Sequence, residues 1–526
     1  MARPPRHAVA AVLVCLAALV AGCTVGPSQR PPVAVRGENM PAAPTSPADQ
    51  PPLPDVSLPA PEQQHSSMPF TDCTEDELAM LPTPVPSDRT LRVECSELTV
   101  PADPDQPGLG AASLGVVRVG LASSPLDNPP LLALGDSTAV PSARNAVRLA
   151  EQVSPEVLQQ YTLIGLDRRG AGEDLLDCAP DNARAALVDA DPGKSDESTL
   201  DSLLEQARAV VQECNLALDG GLSGYRTSAS ASDIELLRDA LGVDRLSAIG
   251  VGDGATALAD WARTTPTAVG RLVLDGPTHP TLDEPDLSES RAGAAEAAFG
   301  AFAVACTARA DCPLGPDPRA TVIALIQRLR TQPLAGADGE RLTAGATITA
   351  LLAGLAEPRD WPELGRALAA ANTGDPAPLL TRLAPLVGPR GQFDGMLAAS
   401  CNDARRRLSP GEISDLAQRW RTTYPIFGGT FALRLLDCAP WPAGGPAPAT
   451  GQADGAPPIL VIGTAADPRG PQDGSRRTAD SLASARFLGW QGSGTGAYPR
   501  TPCVSSVVDA MLVGGIIPQA GTLCPP

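Results

Sequence analysis

The sequence predicts an α/β fold, a mostly parallel sheet covered by helices on both faces and interrupted by a helical insertion of cap type. Three observations carry that expectation. From Leu91 to Leu274 short apolar runs alternate with segments of helical periodicity, as in a parallel sheet whose crossovers are helices. Between about Gly276 and Pro457 the strand signal stops and helical periodicity takes over. Strand character returns at Ile459-Leu460-Val461-Ile462-Gly463, so the sheet resumes after the insertion.

In chain order, Leu91 to Val100 and Leu114 to Leu121 read as opening strands, and Pro130 to Leu134 as a buried central one. Tyr161 to Leu166 is the next strand, ending in Asp167-Arg168-Arg169-Gly170-Ala171-Gly172. Leu200, Leu203, Leu204, Ala207, Val210, Val211 and Cys214 fall on one helical face, as do Ile234, Leu237 and Leu241. Leu246 to Gly250 is a short buried strand, and the small residues from Gly254 to Ala262 suit a helix packed tightly on a sheet. Arg271 to Leu274 follows as a strand. Within the insertion, Val322, Ile323, Leu325, Ile326 and Leu329 make one helical face and Ile348, Leu351, Leu352 and Leu355 another. Ala485 to Leu488 reads as a strand and Val504 to Leu512 as a closing helix. Insertions of this kind sit over the carboxyl ends of the strands, where ligands bind in open α/β sheets. A site is therefore expected between cap and core.

The 526 residues carry a formal net charge of -20, which argues against a nucleic-acid partner, because phosphate binding needs clustered Lys and Arg. Arg3, Arg6 and His7 precede the apolar run Ala8 to Val20, which closes with Leu19-Val20-Ala21-Gly22-Cys23. This reads as a secretory signal over 1–22 with a lipobox, leaving a diacylglyceryl group on Cys23 and anchoring the chain to the outer face of the cell membrane. An ordinary signal peptide or an uncleaved anchor is the other reading, although the run is short for a membrane span. Residues 23–70, rich in Pro, Ala and Ser, are expected to form an extended tether. Apart from Cys15 and Cys23, ten of the 12 cysteines remain: Cys73, Cys95, Cys178, Cys214, Cys306, Cys312, Cys401, Cys438, Cys503 and Cys524. An even number in an exported chain implies structural disulfides. With no C-x-x-C and only three histidines, no metal and no cofactor is expected.

Gly250-Val251-Gly252-Asp253-Gly254 stands at the predicted strand-to-helix turn, where an α/β-hydrolase carries its nucleophile elbow G-x-S-x-G. Gly250 and Gly254 meet the demand for small residues two positions either side of the nucleophile, and the nucleophile position itself is Gly252. A register with Asp253 as nucleophile would put Val251 and Ala255 at the small positions, where a β-branched valine fits poorly. Glycine accepts the unusual backbone angles of such a turn, so the turn survives without its reactive atom.

With these residues in hand the chain resembles the secreted actinobacterial tripeptidyl aminopeptidase family, α/β-hydrolases related to prolyl aminopeptidases, over about Cys73 to Cys524. The matching stretches are Tyr161 to Gly172, Tyr225 to Gly242, Leu272-Val273-Leu274-Asp275-Gly276, Asp360-Trp361-Pro362, Cys401-Asn402-Asp403, Cys438-Ala439-Pro440-Trp441-Pro442 and Cys503 through Cys524. The resemblance implies a hydrolase core over 71–278, a cap over 279–456 and a returning core segment over 457–526. It also implies the pairs Cys73 with Cys95, Cys178 with Cys214, Cys306 with Cys312, Cys401 with Cys438, and Cys503 with Cys524. The family implies hydrolysis of peptide bonds near a free N-terminus by a Ser, Asp, His triad. Carried over, the serine position is Gly252, the acid position is Asp467, which is retained, and the histidine position is Thr495, which cannot act as a base near neutral pH. The glycine-rich oxyanion turn reads Gly135-Asp136-Ser137-Thr138-Ala139-Val140-Pro141, and Asp136 opposes the charge that such a site stabilises.

Other residues offer little in exchange. His65 falls in the tether and His279 in a loop past Asp275, and the only lysine, Lys194, lies in a polar loop. Ser137 and Ser493 are hydroxyls near the vestigial site, and Asp467 with Asp253 or Asp136 would make a carboxylate pair. The expectation is a non-catalytic, lipid-anchored protein that binds a peptide or another envelope component in the old cleft. The alternatives are an active hydrolase rebuilt on Asp253, Asp467 or His279, and a structural envelope lipoprotein.

Overall fold

The computed structural model describes residues 57–81, 85–137, 141–172, 175–388, 391–442 and 449–526. The signal segment, the lipobox with Cys23, the first part of the tether and Thr138, Ala139 and Val140 of the oxyanion turn lie outside the described residues.

Ten strands form the main sheet: β1 (Thr71–Asp72), β2 (Leu91–Pro101), β3 (Ala111–Leu121), β4 (Pro130–Leu134), β5 (Thr162–Leu166), β6 (Leu246–Val251), β7 (Val269–Asp275), β10 (Ile459–Ala466), β11 (Ala485–Ser493) and β12 (Thr522–Cys524). Their order is β1-β2-β3-β5-β4-β6-β7-β10-β11-β12. β1, β2, β3 and β5 pair antiparallel in turn, and every pairing from β5 onward through β4 to β12 is parallel. All five residues of β4 and all five of β5 are buried, as befits strands covered on both faces. The period-2 geometry sorts them. Leu131 and Ala133 join one core with the helices Ser142–Gln152 and Pro502–Leu512, while Leu132 and Leu134 join the opposite core with Thr227–Ala240 and Asp253–Thr264.

Between β7 and β10 the chain is mainly helical, from Glu284–Thr307 through Gly428–Arg434. It also holds a two-residue hairpin, β8 (Leu334–Ala335) with β9 (Arg341–Leu342), which is too short for an apolar alternation to announce. The edge strands β1 and β12 were equally invisible, each being held by its neighbour and by the disulfides Cys73–Cys95 and Cys503–Cys524. The other three pairs implied by the resemblance, Cys178–Cys214, Cys306–Cys312 and Cys401–Cys438, are also formed.

Two boundaries differ from the sequence reading. The core assignment over 71–278 takes in residues that belong spatially with the insertion: Leu187, Leu200, Leu203 and Val210 share one hydrophobic core with Leu397, Ile413, Trp420 and Leu436. Sequence order hid this, because the segment interrupts the sheet between β5 and β6. The tether assignment over 23–70 ends too late. Leu58 and Gln64 are buried, and Gln64 Nε2 donates to the carbonyls of Leu126 (2.8 Å) and Asn128 (3.0 Å). Glu62 accepts from the Asp244 amide at 2.8 Å, Arg271 Nε donates to Pro59 O at 3.0 Å, and the His65 amide donates to Leu241 O at 2.9 Å. Residues 57–67 thus form a strap across the amino ends of β4, β6 and β7. Polar composition concealed it, because apart from Leu58 the strap is held mainly by hydrogen bonds and not by a continuous apolar face.

Candidate active site

The carboxyl ends of β4, β6, β7 and β10 converge, and each delivers one element of the site. β6 passes through Gly252 directly into the helix Asp253–Thr264, and Gly252 has φ 60° and ψ −123°, a region a residue with a side chain enters only under strain. A Cβ at Gly250 would lie 2.7 Å from Ala255 Cα, and one at Gly254 would lie 2.5 Å from Gly135 O. Strand, helix and oxyanion turn therefore approach as closely as a nucleophile elbow requires, with Gly252 at its apex. The register with Asp253 as nucleophile does not match this turn, because Asp253 is already the first helical residue. Its carboxylate is engaged by Ser137, through both the amide at 2.9 Å and the hydroxyl, and by Arg168 Nη1 at 2.6 Å.

Asp136 fills the apex. A Cβ on Gly252 would sit 2.1 Å from Asp136 Oδ2, so the space of a serine side chain is already taken by a carboxylate. The Asp253 amide points at the same oxygen at 3.4 Å, and Arg469 Nη1 holds Asp136 Oδ1 at 3.0 Å. Asp136 is 8% exposed. The carboxylate and guanidinium together form a latch from the turn after β4 to the loop after β10.

Asp467 lies in that loop, 2% exposed. Its Oδ1 accepts from Thr495 Oγ1 at 2.6 Å and from the Arg469 amide at 2.9 Å. Asp467 Oδ2 and the Gly252 amide both lie within 4.0 Å of the point where a Cβ of Gly276 would be. Gly252, Asp467 and Thr495 are thus brought together at the carboxyl edge. The cap reaches this edge as well, since the Thr495 amide donates to Ala356 O at 2.9 Å.

The remaining candidates fall elsewhere or are engaged. His279 packs beside Gly474, and its Nδ1 accepts from the Thr281 amide at 3.3 Å. His65 is part of the strap. Lys194 is exposed in its loop. Ser493 ends β11, and Ser137 serves Asp253. Among the described residues, Cys178, Cys214 and Asp394 have atoms at metal-ligand spacing. The two cysteines form a disulfide, and Asp394 is taken by Arg184 and by the amides of Cys178 and Ala179, so no thiolate is on offer.

Residues 424–524, which contain Asp467, Thr495 and the final disulfide, match the family described as TAP-like protein. The likeness extends along most of the chain. Serine protease Hip1 of Mycobacterium tuberculosis is 25% identical over 460 residues, covering 82% of this chain and 87% of that protein. Carboxylesterase B of the same organism is 27% identical over 467 residues, covering 83% and 87%. The tripeptidyl aminopeptidase of Streptomyces lividans is 23% identical over 458 residues, covering 82% and 84%. Over most of its length this chain is similar to TAP-like α/β-hydrolases.

The strand-end motif after β5 has a clear structural use. Asp167 Oδ1 accepts from the Ala143 amide at 2.9 Å, at the start of the helix behind the oxyanion turn, and Gly172 leaves room for it, since a Cβ there would lie 1.8 Å from Asp167 Oδ2. Arg169 grips Asp233 with two hydrogen bonds of 2.7 and 2.8 Å. These residues position the site's walls and touch none of the triad positions.

One member of the site was missed. Asp275, at the end of β7, is fully buried. Its Oδ2 accepts from the amides of Ala497 (2.6 Å) and Tyr498 (2.9 Å), while Oδ1 has no hydrogen-bond partner. Asp467 therefore has a carboxylate neighbour that the sequence reading did not name, Asp275. The signal was in view in Leu272-Val273-Leu274-Asp275-Gly276, where an acid closes an apolar strand. Burial pushes the Asp275 carboxyl up to about 7, with the charge of Asp467 adding to the rise against the two amides. Burial likewise pushes Asp467 up to about 6, opposed by Thr495 and the amides of Arg469 and Gly470.

The sign of this shift predicts a stability change. Because Asp467 is raised when folded, the unfolded chain loses its proton first, and stability falls as pH rises from about 3.8 to about 6. Above that window the ionisable group costs roughly 3 kcal/mol. Asp467→Asn is therefore expected to raise the unfolding midpoint in urea near neutral pH and to leave it unchanged in acid. Equal midpoints for the two proteins at neutral pH would contradict the assignment.

Proposed function

We propose that this chain is a catalytically silent TAP-like hydrolase, displayed on the outer face of the cell membrane through a lipid on Cys23, that recognises a peptide or another envelope component at the old cleft. The observation that carries the silence is the Asp136 carboxylate standing where a serine side chain would be. Thr495, in hydrogen-bond contact with the retained acid, supplies no base. The oxyanion region meets a developing negative charge with one already present, which reverses the stabilisation that acyl transfer needs.

The opening bordered by Ser137, Arg168, Tyr225, Gln392, Met396 and Ala399 has room for little more than one water molecule. Recognition there requires cap and core to part, and it favours a ligand that inserts a small group over one that is engulfed. The motive for extracytoplasmic display is the lipobox sequence together with five disulfides, a combination that suits an oxidising compartment.

The test has two arms. Purified protein is expected to take no label from a fluorophosphonate and to turn over neither tripeptidyl amides nor short esters. Turnover abolished by Asp467→Ala or Asp253→Ala would instead establish a rebuilt active site. In cells, Cys23→Ala is expected to shift the protein from the membrane fraction to the medium, and retention of the variant in the membrane would refute lipid anchoring.

A further inference from the structure

The carboxyl edge holds two acids whose surroundings are unfinished. Asp275 and Asp467 sit at the ends of neighbouring strands, with Asp275 paired in register to Ile462. One oxygen of each accepts two hydrogen bonds, while the other, Asp275 Oδ1 and Asp467 Oδ2, has no partner at hydrogen-bond distance among the described residues, although the residues are 0% and 2% exposed. An ionised carboxylate so placed would be strongly disfavoured, whereas a protonated one is tolerable. Among the described residues, Arg469 and Arg500 are the guanidiniums that act on the pair. Arg469 lies on the loop of Asp467 and is drawn to Asp136. Arg500, on the loop after β11, donates to the carbonyls of Thr495 and Gly496 and is paired with Glu357 of the cap.

We infer that Asp275 and Asp467 form a proton-controlled element that sets whether Arg469 keeps the Asp136 latch closed over Gly252. With both acids neutral, Arg469 pairs with the Asp136 carboxylate. When the pair loses a proton to solvent, Asp467 becomes a second anion competing for the same guanidinium, from a position two residues away on the same loop. Repulsion from Asp275 opposes keeping that charge buried where it is. Both effects pull the loop Asp467–Gly470 off its closed position and release Asp136. The Thr495 turn moves with it, because Thr495 bonds Asp467 and the amides of Ala497 and Tyr498 bond Asp275. The latch therefore opens as pH rises through the neutral range and closes in acid. This inference concerns movement alone and stands whether or not the site is silent.

The experiment is hydrogen exchange on the full folded chain at about pH 5 and about pH 8, corrected for intrinsic exchange. Peptides covering 464–471 and 493–499 are expected to lose roughly tenfold in protection at the higher pH, while peptides from β4 and β5 stay unchanged. The double variant Asp275→Asn, Asp467→Asn, which keeps the acceptors and removes the charges, is expected to show no such change. Asp136→Asn, which weakens the latch directly, is expected to exchange faster at both pH values. Protection in the native chain that is independent of pH, the same pH dependence in the double variant, or unaltered exchange in Asp136→Asn would each overturn the inference. Activity assays play no part, so the silent-site proposal and this one fail separately.

Discussion

Replacing Gly252 with serine alone is expected to yield a less stable protein that still reacts with no fluorophosphonate. The new Cβ would fall 2.1 Å from Asp136 Oδ2 and 3.1 Å from Asp136 Cβ, so the carboxylate would have to turn away from its place beside Arg469, and the new residue would have to hold φ near 60°. Overpacking of this kind costs about 1–3 kcal/mol, and a non-glycine residue in a sparsely populated backbone region costs about 1–3 kcal/mol more. The hydroxyl would also lack a base, since position 495 offers only a threonine. The combination Gly252→Ser, Asp136→Gly, Thr495→His is expected to behave differently. It vacates the apex, frees the Asp253 amide to face an oxyanion, and sets an imidazole against Asp467, so labelling at residue 252 should appear. A triple variant that folds and stays unlabelled would show that more than these three positions separates the chain from a working hydrolase.

The second large effect is structural. Asp233→Ala is expected to destabilise the protein by about 3–5 kcal/mol, the range for removing one partner of a buried ion pair. The side chains of Arg169 and Asp233 are 3% and 2% exposed, and Arg169 also donates to Ala102 O and Pro101 O, which tie β2 to the strand end after β5. Losing the carboxylate leaves a guanidinium stranded among carbonyls. Asp239→Ala is the control. That carboxylate stands 3.9 Å from Arg238 and is 85% exposed, so its loss should move a urea midpoint little. Comparable shifts for the two variants would show that the buried pair is not a principal tie between sheet and loop.

Much of the scaffold was legible because its signals are local. β4, β5, β6 and β10 are apolar runs of strand length, and the helices around Leu203, Leu237 and Leu351 keep one apolar face in register. Gly252, Asp467 and Thr495 were placed by motif order, and the structure brings them to one edge. What escaped detection was held by partners distant in sequence. β1 and β12 are short edges stapled by disulfides, and the core shared by Leu203 and Trp420 joins segments more than two hundred residues apart. Asp275 escaped for another reason. It reads as the polar end of a strand, and only the amides of Ala497 and Tyr498 folding back over it show that it is buried. Asp136 was legible as a charge in the turn after β4, but its reach to Gly252 depends on a close approach that no spacing reports.

The strap over 57–67 settles which side of the molecule the N-terminal chain leaves from. Its contacts lie at the amino ends of β4, β6 and β7, while the Asp136 latch lies at the opposite, carboxyl ends. Residues 57–67 therefore hold the folded protein by its back. The strap's hydrogen bonds set where the described chain joins the fold, on the face turned away from the latch.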